Sequence, residues 1–112
     1  MAKYECNLIG NIDELADTID KGIMEGSLSA SYENGSYYTN GGMTCVVKVY
    51  ERYSMIGENR VSLSVTLVGN EEDEIFVSAI TSGGSQAVLF KINTFGEEAF
   101  LDKLVAIVER FR

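Results

Sequence analysis

The chain has 112 residues, of which 46% are hydrophobic and 23% charged, so it is expected to form one globular domain over residues 1–112. The same composition excludes disordered and fibrous proteins. Seventeen acidic residues against nine basic ones give a net charge of −8, which argues against nucleic acids and anionic membrane surfaces as partners because both carry negative charge.

The N-terminal sequence and the cysteines predict a cytoplasmic protein. Residues 1–5 lack the basic segment and apolar stretch of a secretory signal, and no apolar run approaches the roughly 18 residues of a membrane span. Histidine is absent, so Cys6 and Cys45 cannot complete a zinc site of the usual composition within one chain. We expect both cysteines to be reduced and to pack as small core residues.

Residues 3–26 predict a strand followed by a helix. Residues 3–9 alternate loosely between polar and apolar, which is typical of a short strand. Asn11 with Glu14 forms a capping pair for the first helical turn, and Gly26 is placed to end the helix. One apolar helix face is predicted from the spacing of Ile12, Leu15, Ala16, Ile19 and Ile23.

Residues 27–53 predict a pair of antiparallel strands. Residues 27–32 alternate as the first strand, and Asn34-Gly35 predicts the tight turn of a hairpin after it. Asn40-Gly41-Gly42 then predicts a bend or bulge in the returning chain. A long strand follows over 43–53, with Met43, Cys45, Val47 and Val49 expected on one face and the solvated residues Thr44, Lys48 and Arg52 on the other.

Residues 61–112 predict three strands and a second helix. Val61, Leu63, Val65 and Leu67 alternate with serine and threonine, which indicates a half-buried antiparallel strand. Residues 74–81 and 86–93 are predicted as two further strands, the alternative being one bent strand. A helix is expected over 96–111, with Thr94 and Glu97 as a capping box or, alternatively, Gly96 as the cap and Phe95 packed on Phe100 as a hydrophobic staple. Its apolar stripe is predicted to consist of Phe100, Leu101, Leu104, Val105, Val108 and Phe111.

These elements predict a two-layer α+β fold. Their order is β-α-β-β-β-β-β-α, and the short turns between the strands require an antiparallel sheet. Both helices are expected to cover a sheet face, because several strands are apolar on one side only. By analogy with helix-grip proteins, we expect a curved sheet with the C-terminal helix packed on it.

The sequence offers few candidate binding residues and no recognisable catalytic set. Without histidine, Ser-His-Asp and Cys-His catalysis are excluded, so an enzyme is the least favoured class, and no metal or cofactor is predicted. The adjacent glycines Gly83 and Gly84 would let backbone N–H groups converge on an anion, although a simple corner of the sheet is the favoured explanation for them. Arg52 and Arg60 flank one predicted hairpin and are expected to face the same bend. The candidate ligand-binding residues are Tyr50, Arg52, Arg60, Gly83, Gly84, Ser85 and Gln86.

Four segments taken together resemble a known protein family: 50–53 (YERY), 59–63 (NRVSL), 82–86 (SGGSQ) and 93–100 (NTFGEEAF). That family consists of small bacterial proteins, mostly from Gram-positive species, and is a domain of unknown function. The resemblance covers nearly the whole chain and implies a bacterial cytoplasmic protein. It implies no activity, and no catalytic residue carries over from it.

Two functions stay open on the sequence. The first is a non-enzymatic module that binds a small, partly apolar molecule in a pocket between the curved sheet and the C-terminal helix. The alternative is a homo-oligomeric structural or interaction protein that uses an apolar sheet face. Its basis is the segment in which Ile75, Val77 and Ala79 alternate with Phe76 and Ile80, so that both faces of one strand are apolar.

Overall fold

The computed structural model describes residues 1–26, 29–54, 59–70, 73–83 and 90–112. Five strands form one antiparallel sheet in the order β1-β5-β4-β3-β2, so β1 and β2 are its edges. The predicted α+β class is confirmed. In chain order the elements are β1 (Ala2–Ile9), α1 (Ile12–Glu25), β2 (Ser31–Asn40), β3 (Met43–Ser54), β4 (Asn59–Asn70), β5 (Glu74–Gly83) and α2 (Phe90–Phe111).

Helix α1 begins and ends where the sequence predicts. The Asn11 side-chain oxygen accepts a hydrogen bond from the Glu14 N–H at 2.9 Å, which satisfies one donor of the first turn. The Gly26 N–H donates to the Gly22 carbonyl at 3.0 Å and closes the last turn. The predicted apolar face is buried, and it consists of Ile12, Leu15, Ala16, Ile19 and Ile23.

The hairpin turn predicted at Asn34-Gly35 is wrong. Strand β2 begins at Ser31 and runs through both residues, with a bulge where its register against β3 shifts between Tyr32 and Asn34. The turn lies at Gly41-Gly42, whose φ angles are +60° and +88°. A two-residue hairpin turn of this kind needs positive φ at both positions, and a pair of glycines adopts it without steric cost.

The prediction of which β3 residues face solvent is also wrong. Thr44, Val46 and Tyr50 are buried on the side that faces the helices, whereas Met43 lies exposed on the other side. The sheet register requires this arrangement, because Tyr50 pairs with Leu63, a fully buried residue of β4.

Two long cations on β3 explain why the sequence pattern misleads. Lys48 faces the helices, and its ammonium lies 3.7 Å from the Asp20 carboxylate of α1. Arg52 also faces the helices, with its guanidinium carbon 4.7 Å from the ring centre of Phe100. Such side chains bury an apolar stem while their charged ends reach a partner, so a cation on a strand does not by itself indicate a solvated face.

Strands β4 and β5 follow the predicted alternation. Val61, Leu63, Val65 and Leu67 are all buried, as are Ile75, Val77 and Ala79. Phe76 and Ile80 point away from this core and are 40% and 39% exposed.

Helix α2 begins earlier than predicted. Residues 90–93, which the pattern assigns to a last strand over 86–93, form its first residues, and the other part of that strand lies outside the described residues. Thr94, Gly96 and Glu97 therefore lie within the helix, and both predicted capping arrangements are wrong. Short apolar runs fit either a strand or a helix, which explains the error. The apolar stripe is buried at Phe100, Leu101, Leu104 and Val108, is partly buried at Val105 and Phe111, and also includes the buried Ile107.

Both helices pack on the same face of the sheet, so the domain has two layers. Helix α2 contacts β5, β4 and β1, and α1 contacts α2 and β4. The helices approach closely at Gly22, where an added Cβ would lie 2.5 Å from the Ile107 side chain. One continuous core fills the space between the layers. None of the elements in the described ranges covers the other face of the sheet.

Candidate functional site

The side of the sheet opposite the helices, which we call the uncovered face, carries an apolar patch. Its members alternate along β3, β4 and β5 with the buried core residues. The cross-strand register brings Phe76, Val68 and Cys45 into one row and places Ile80 four residues further along β5, on the same face. Serine and threonine side chains of β4 and β5 lie between these apolar residues, so the apolar surface is interrupted by polar side chains. It is formed by Cys45, Val47, Val49, Val68, Phe76 and Ile80.

The uncovered face carries both signs of charge. The cations Lys3 and Arg60 lie among the carboxylates of Glu5, Glu33, Glu51 and Glu74. The guanidinium of Arg60 lies 3.2 Å from the Glu51 carboxylate. Since the whole chain carries −8, most of its net negative charge lies on other surfaces.

Tyr50, the first predicted site residue, joins the sheet to α1. Its hydroxyl donates to the Asp20 carboxylate at 2.9 Å, and its ring packs edge-to-face on Tyr32 at 5.7 Å between centroids. Burial, and then the bond to Asp20, raise the pKa of Tyr50 above its ordinary value of 10.0. The hydroxyl therefore remains a protonated donor at physiological pH.

Replacing Tyr50 by phenylalanine is expected to lower the free energy of unfolding by about 1.5 kcal/mol, because the variant loses a part-buried hydrogen bond to a carboxylate. Urea denaturation measures this loss. Tyr38→Phe is the control, since that hydroxyl is exposed, and a change within about 0.5 kcal/mol is expected. If Tyr50→Phe and Tyr38→Phe lowered the free energy of unfolding by the same amount, then Tyr50 would not join the sheet to α1.

The raised pKa of Tyr50 also predicts that the wild-type protein loses stability above pH 10.0, because Tyr50 ionises first in the unfolded chain. Tyr50→Phe is expected to reduce this loss.

The two predicted arginines lie on opposite faces of the sheet, so the expectation that they face one bend is wrong. Arg52 faces the helices, where desolvation lowers its pKa. Arg60 lies on the uncovered face, because it precedes the buried Val61 on β4. Gly83 ends β5 in the same cross-strand row as Val61 and Arg52. The remaining predicted residues, Gly84, Ser85 and Gln86, lie outside the described residues.

The space predicted to hold a ligand, between the sheet and the C-terminal helix, is filled by side chains in the described residues. Phe100, Leu104 and Val108 of α2 are fully buried in the core. The Thr81 hydroxyl donates to the Glu97 carbonyl at 3.2 Å and connects β5 to α2. This part of the interface is packed core.

A groove of about 240 Å³, which we call the α1–β2 groove, lies between α1 and the β2–β3 hairpin. The Tyr37 hydroxyl donates to the Asp13 carboxylate of α1 at 3.0 Å, and the Lys48 ammonium lies 5.2 Å from the ring centre of Tyr32. Strict alternation would place the two tyrosines on opposite faces; the bulge brings both to one face, so the sequence pattern does not reveal the groove. Its lining includes Ala16, Tyr32, Gly35, Tyr37, Val46 and Lys48.

The two cysteines lie on different faces of the sheet. Cys6 of β1 is partly buried against the core, as predicted. Cys45 of β3 lies on the uncovered face, so the prediction that it packs in the core is wrong. Three strand spacings of about 4.8 Å separate them, far more than a disulfide spans, and both are free thiols.

The described residues contain neither a metal-binding cluster nor a membrane-spanning helix. No group of three or more histidine, cysteine, aspartate or glutamate side chains in these ranges is arranged to hold a metal ion. Neither of the helices in the same ranges is long and apolar enough to cross a membrane.

Comparison with known proteins shows the family. A family model described as a family of unknown function matches residues 1–112. None of the curated proteins and none of the solved structures matches the chain. The match agrees with the resemblance to a domain of unknown function, and the chain belongs to this family, DUF6054.

Proposed function

We propose that this protein is a non-enzymatic interaction module that pairs with a second copy of itself by stacking two uncovered faces. The observation that carries the proposal is the exposure of Phe76 and Ile80, at 40% and 39%, on a face without a covering layer in the described residues. Burial of such side chains is the main favourable contribution to association. Two sheets that pack face to face about 10 Å apart are a common arrangement of β proteins.

The charge distribution favours a second copy as the partner. A copy of the same chain also carries −8, so most pairs of surfaces repel each other. The uncovered face reduces this repulsion, because Lys3 and Arg60 offset two of its four carboxylates. In an isologous pair, the same surface is used by both subunits, and opposite charges of the two copies are able to meet.

The area of the uncovered face is also large enough for a stable dimer interface. Five strands at about 4.8 Å spacing, over a length of about 30 Å, give a face of about 700 Å². A stable interface of standard size uses about 800 Å² from each partner. Because side chains fill the described interface between the sheet and α2, the geometry favours this function over a small-ligand pocket at that place.

A reducing, cytoplasmic location belongs to the same proposal. It is supported by the free thiols of Cys6 and Cys45. Free thiols persist in compartments where glutathione and thioredoxin keep cysteines reduced.

Replacing both Phe76 and Ile80 by serine is expected to weaken the dimer by about 100-fold or more. The change removes two large apolar side chains from each subunit, and 100-fold corresponds to about 2.8 kcal/mol of binding free energy. Native mass spectrometry and sedimentation equilibrium measure the dissociation constant. The control is Met24→Ser, which changes an apolar residue of similar exposure, 38%, on α1 and is expected to leave the constant unchanged.

Two results would contradict the proposed function. One is a wild-type protein that remains monomeric at millimolar concentration. The other is a dimer whose dissociation constant is the same in the double variant as in Met24→Ser, since the interface would then lie elsewhere.

A further inference from the structure

The two edges of the sheet are protected to different degrees. The β1 edge is covered by the end of α2, where the Tyr4 hydroxyl donates to Glu109 at 2.6 Å and Arg112 donates to the Asn7 carbonyl at 3.3 Å. The bond from Tyr4, and then a hydrogen bond from the Arg112 guanidinium to Glu109 at 3.2 Å, hold the pKa of the Glu109 carboxyl below its ordinary value. On the β2 edge, none of the elements in the described ranges lies beyond the strand.

The sequence of β2 lacks the usual protection of a free edge. Natural edge strands carry lysine, proline, inward charges or bulges that prevent another strand from pairing. The bulge of β2 lies near its start, and beyond it residues 35–40 pair regularly with β3. These six residues contain neither a charge nor a proline. The Gly35 N–H donates to the Asn34 side-chain oxygen at 2.8 Å, and the outward backbone groups of residues 36–40 lie at an edge with no further strand in the described ranges.

A strand added at this edge would lie beside the α1–β2 groove. At Gly35 the Tyr32 hydroxyl and the Val47 carbonyl oxygen occupy the space that a Cβ would need, so the glycine lets the Tyr32 ring lie along β2. The groove is lined by Tyr32 and Tyr37, and the Tyr37 hydroxyl contacts the Asp13 carboxylate of α1.

The charges around the groove select a basic partner. Asp13 and Asp20 of α1 lie beside the groove, where they contact Tyr37 and Lys48 of the hairpin. Lys48 is the single cation among the residues that line the groove in the described ranges, and these two carboxylates outnumber it. A second copy of this chain is disfavoured here because two acidic α1 helices would approach each other.

We propose that the β2 edge binds an extended, basic peptide segment of a partner protein as an additional antiparallel or parallel strand. Backbone hydrogen bonds to residues 36–40 supply the affinity, and alternate lysine or arginine side chains reach toward Asp13 and Asp20. The apolar stems of these side chains lie against the rings of Tyr32 and Tyr37. The site uses the edge of the sheet, so it functions whether or not the uncovered faces pair.

The test is a fluorescence-anisotropy titration of the full chain with a labelled nine-residue peptide in which lysine alternates with valine or threonine. We expect saturable binding that weakens with salt, and resonance shifts of the Gly35 and Ser36 amides in nuclear magnetic resonance spectra. Asp13→Asn with Asp20→Asn is expected to weaken binding by about ten-fold or more. The control Asp102→Asn with Glu98→Gln removes the same charge from exposed positions of α2 and is expected to change little.

A second variant and a second peptide make the test decisive. Thr39→Lys leaves the contacts of α1 intact, adds a cation to β2 and is also expected to weaken binding. A peptide with central prolines, of unchanged charge, is expected not to bind, because proline removes backbone donors. The proposal is overturned if the proline peptide binds equally well, if the amide shifts lie outside β2, or if the lysine peptide does not bind.

Discussion

Replacing Phe100 by alanine is expected to lower the free energy of unfolding by about 3–5 kcal/mol. Phe100 is fully buried between α2 and the sheet, and its ring also supports the Arg52 guanidinium at 4.7 Å. The variant loses the transfer free energy of the ring and retains a cavity that the surrounding strands cannot close. Because natural domains have a total of only about 5–15 kcal/mol, this loss would leave the fold marginal. Urea denaturation followed by circular dichroism measures it.

Phe76→Ala is the matched control, since it makes the same substitution at a phenylalanine that is 40% exposed on the uncovered face. In dilute protein, where subunits are separate, its cost is expected to be about 1 kcal/mol. If Phe76→Ala costs as much as Phe100→Ala, then α2 does not pack on the sheet as described.

Replacing Gly22 by leucine is expected to lower the free energy of unfolding by about 3 kcal/mol. A Cβ at Gly22 would lie 2.5 Å and 2.8 Å from two carbons of Ile107, which is itself buried and has little room to move. The added side chain forces α1 and α2 apart, and this overpacking exceeds the gain of about 1 kcal/mol from the better helix propensity of leucine.

A double-mutant cycle that combines Gly22→Leu with Ile107→Ala tests the cause of this loss. Because the introduced leucine then fills the space that the Ile107 side chain leaves, the double variant is expected to be more stable than the sum of the single changes by about 2 kcal/mol. Thermal and urea denaturation of the four proteins give the coupling free energy. Strict additivity would show that the two helices do not meet at Gly22.

Much of the fold follows from local sequence. Strand β4 is predictable because Val61, Leu63, Val65 and Leu67 alternate with small polar residues, and burial on one side needs no long-range information. Helix α1 is predictable because Asn11 supplies a cap that acts within one turn.

Other features depend on partners that are distant in the sequence. Asn34-Gly35 is a strong local turn signal, yet Gly41-Gly42 makes the turn, and pairing with β3 keeps the first dipeptide in a strand. Lys48 faces the helices because its ammonium forms an ion pair with Asp20 of α1. Local periodicity carries no information about such contacts between elements.

The two candidate sites differ in the same way. The alternation of Phe76 and Ile80 with buried residues indicates the uncovered face directly, and only the position of the helices is needed to show that it has no cover in the described ranges. The α1–β2 groove requires the bulge before Asn34, which places Tyr32 and Tyr37 on one face. The sequence contains no signal of that register shift.

Alkylation of the two natural cysteines over a range of protein concentrations tests the pairing of uncovered faces most directly. Cys45 lies within the proposed interface, whereas Cys6 lies on the opposite side of the sheet and serves as an internal reference. We predict that the modification rate of Cys45 falls as concentration rises through the dissociation constant, while that of Cys6 stays constant. Rates for both cysteines that do not change between dilute and concentrated protein would contradict the account.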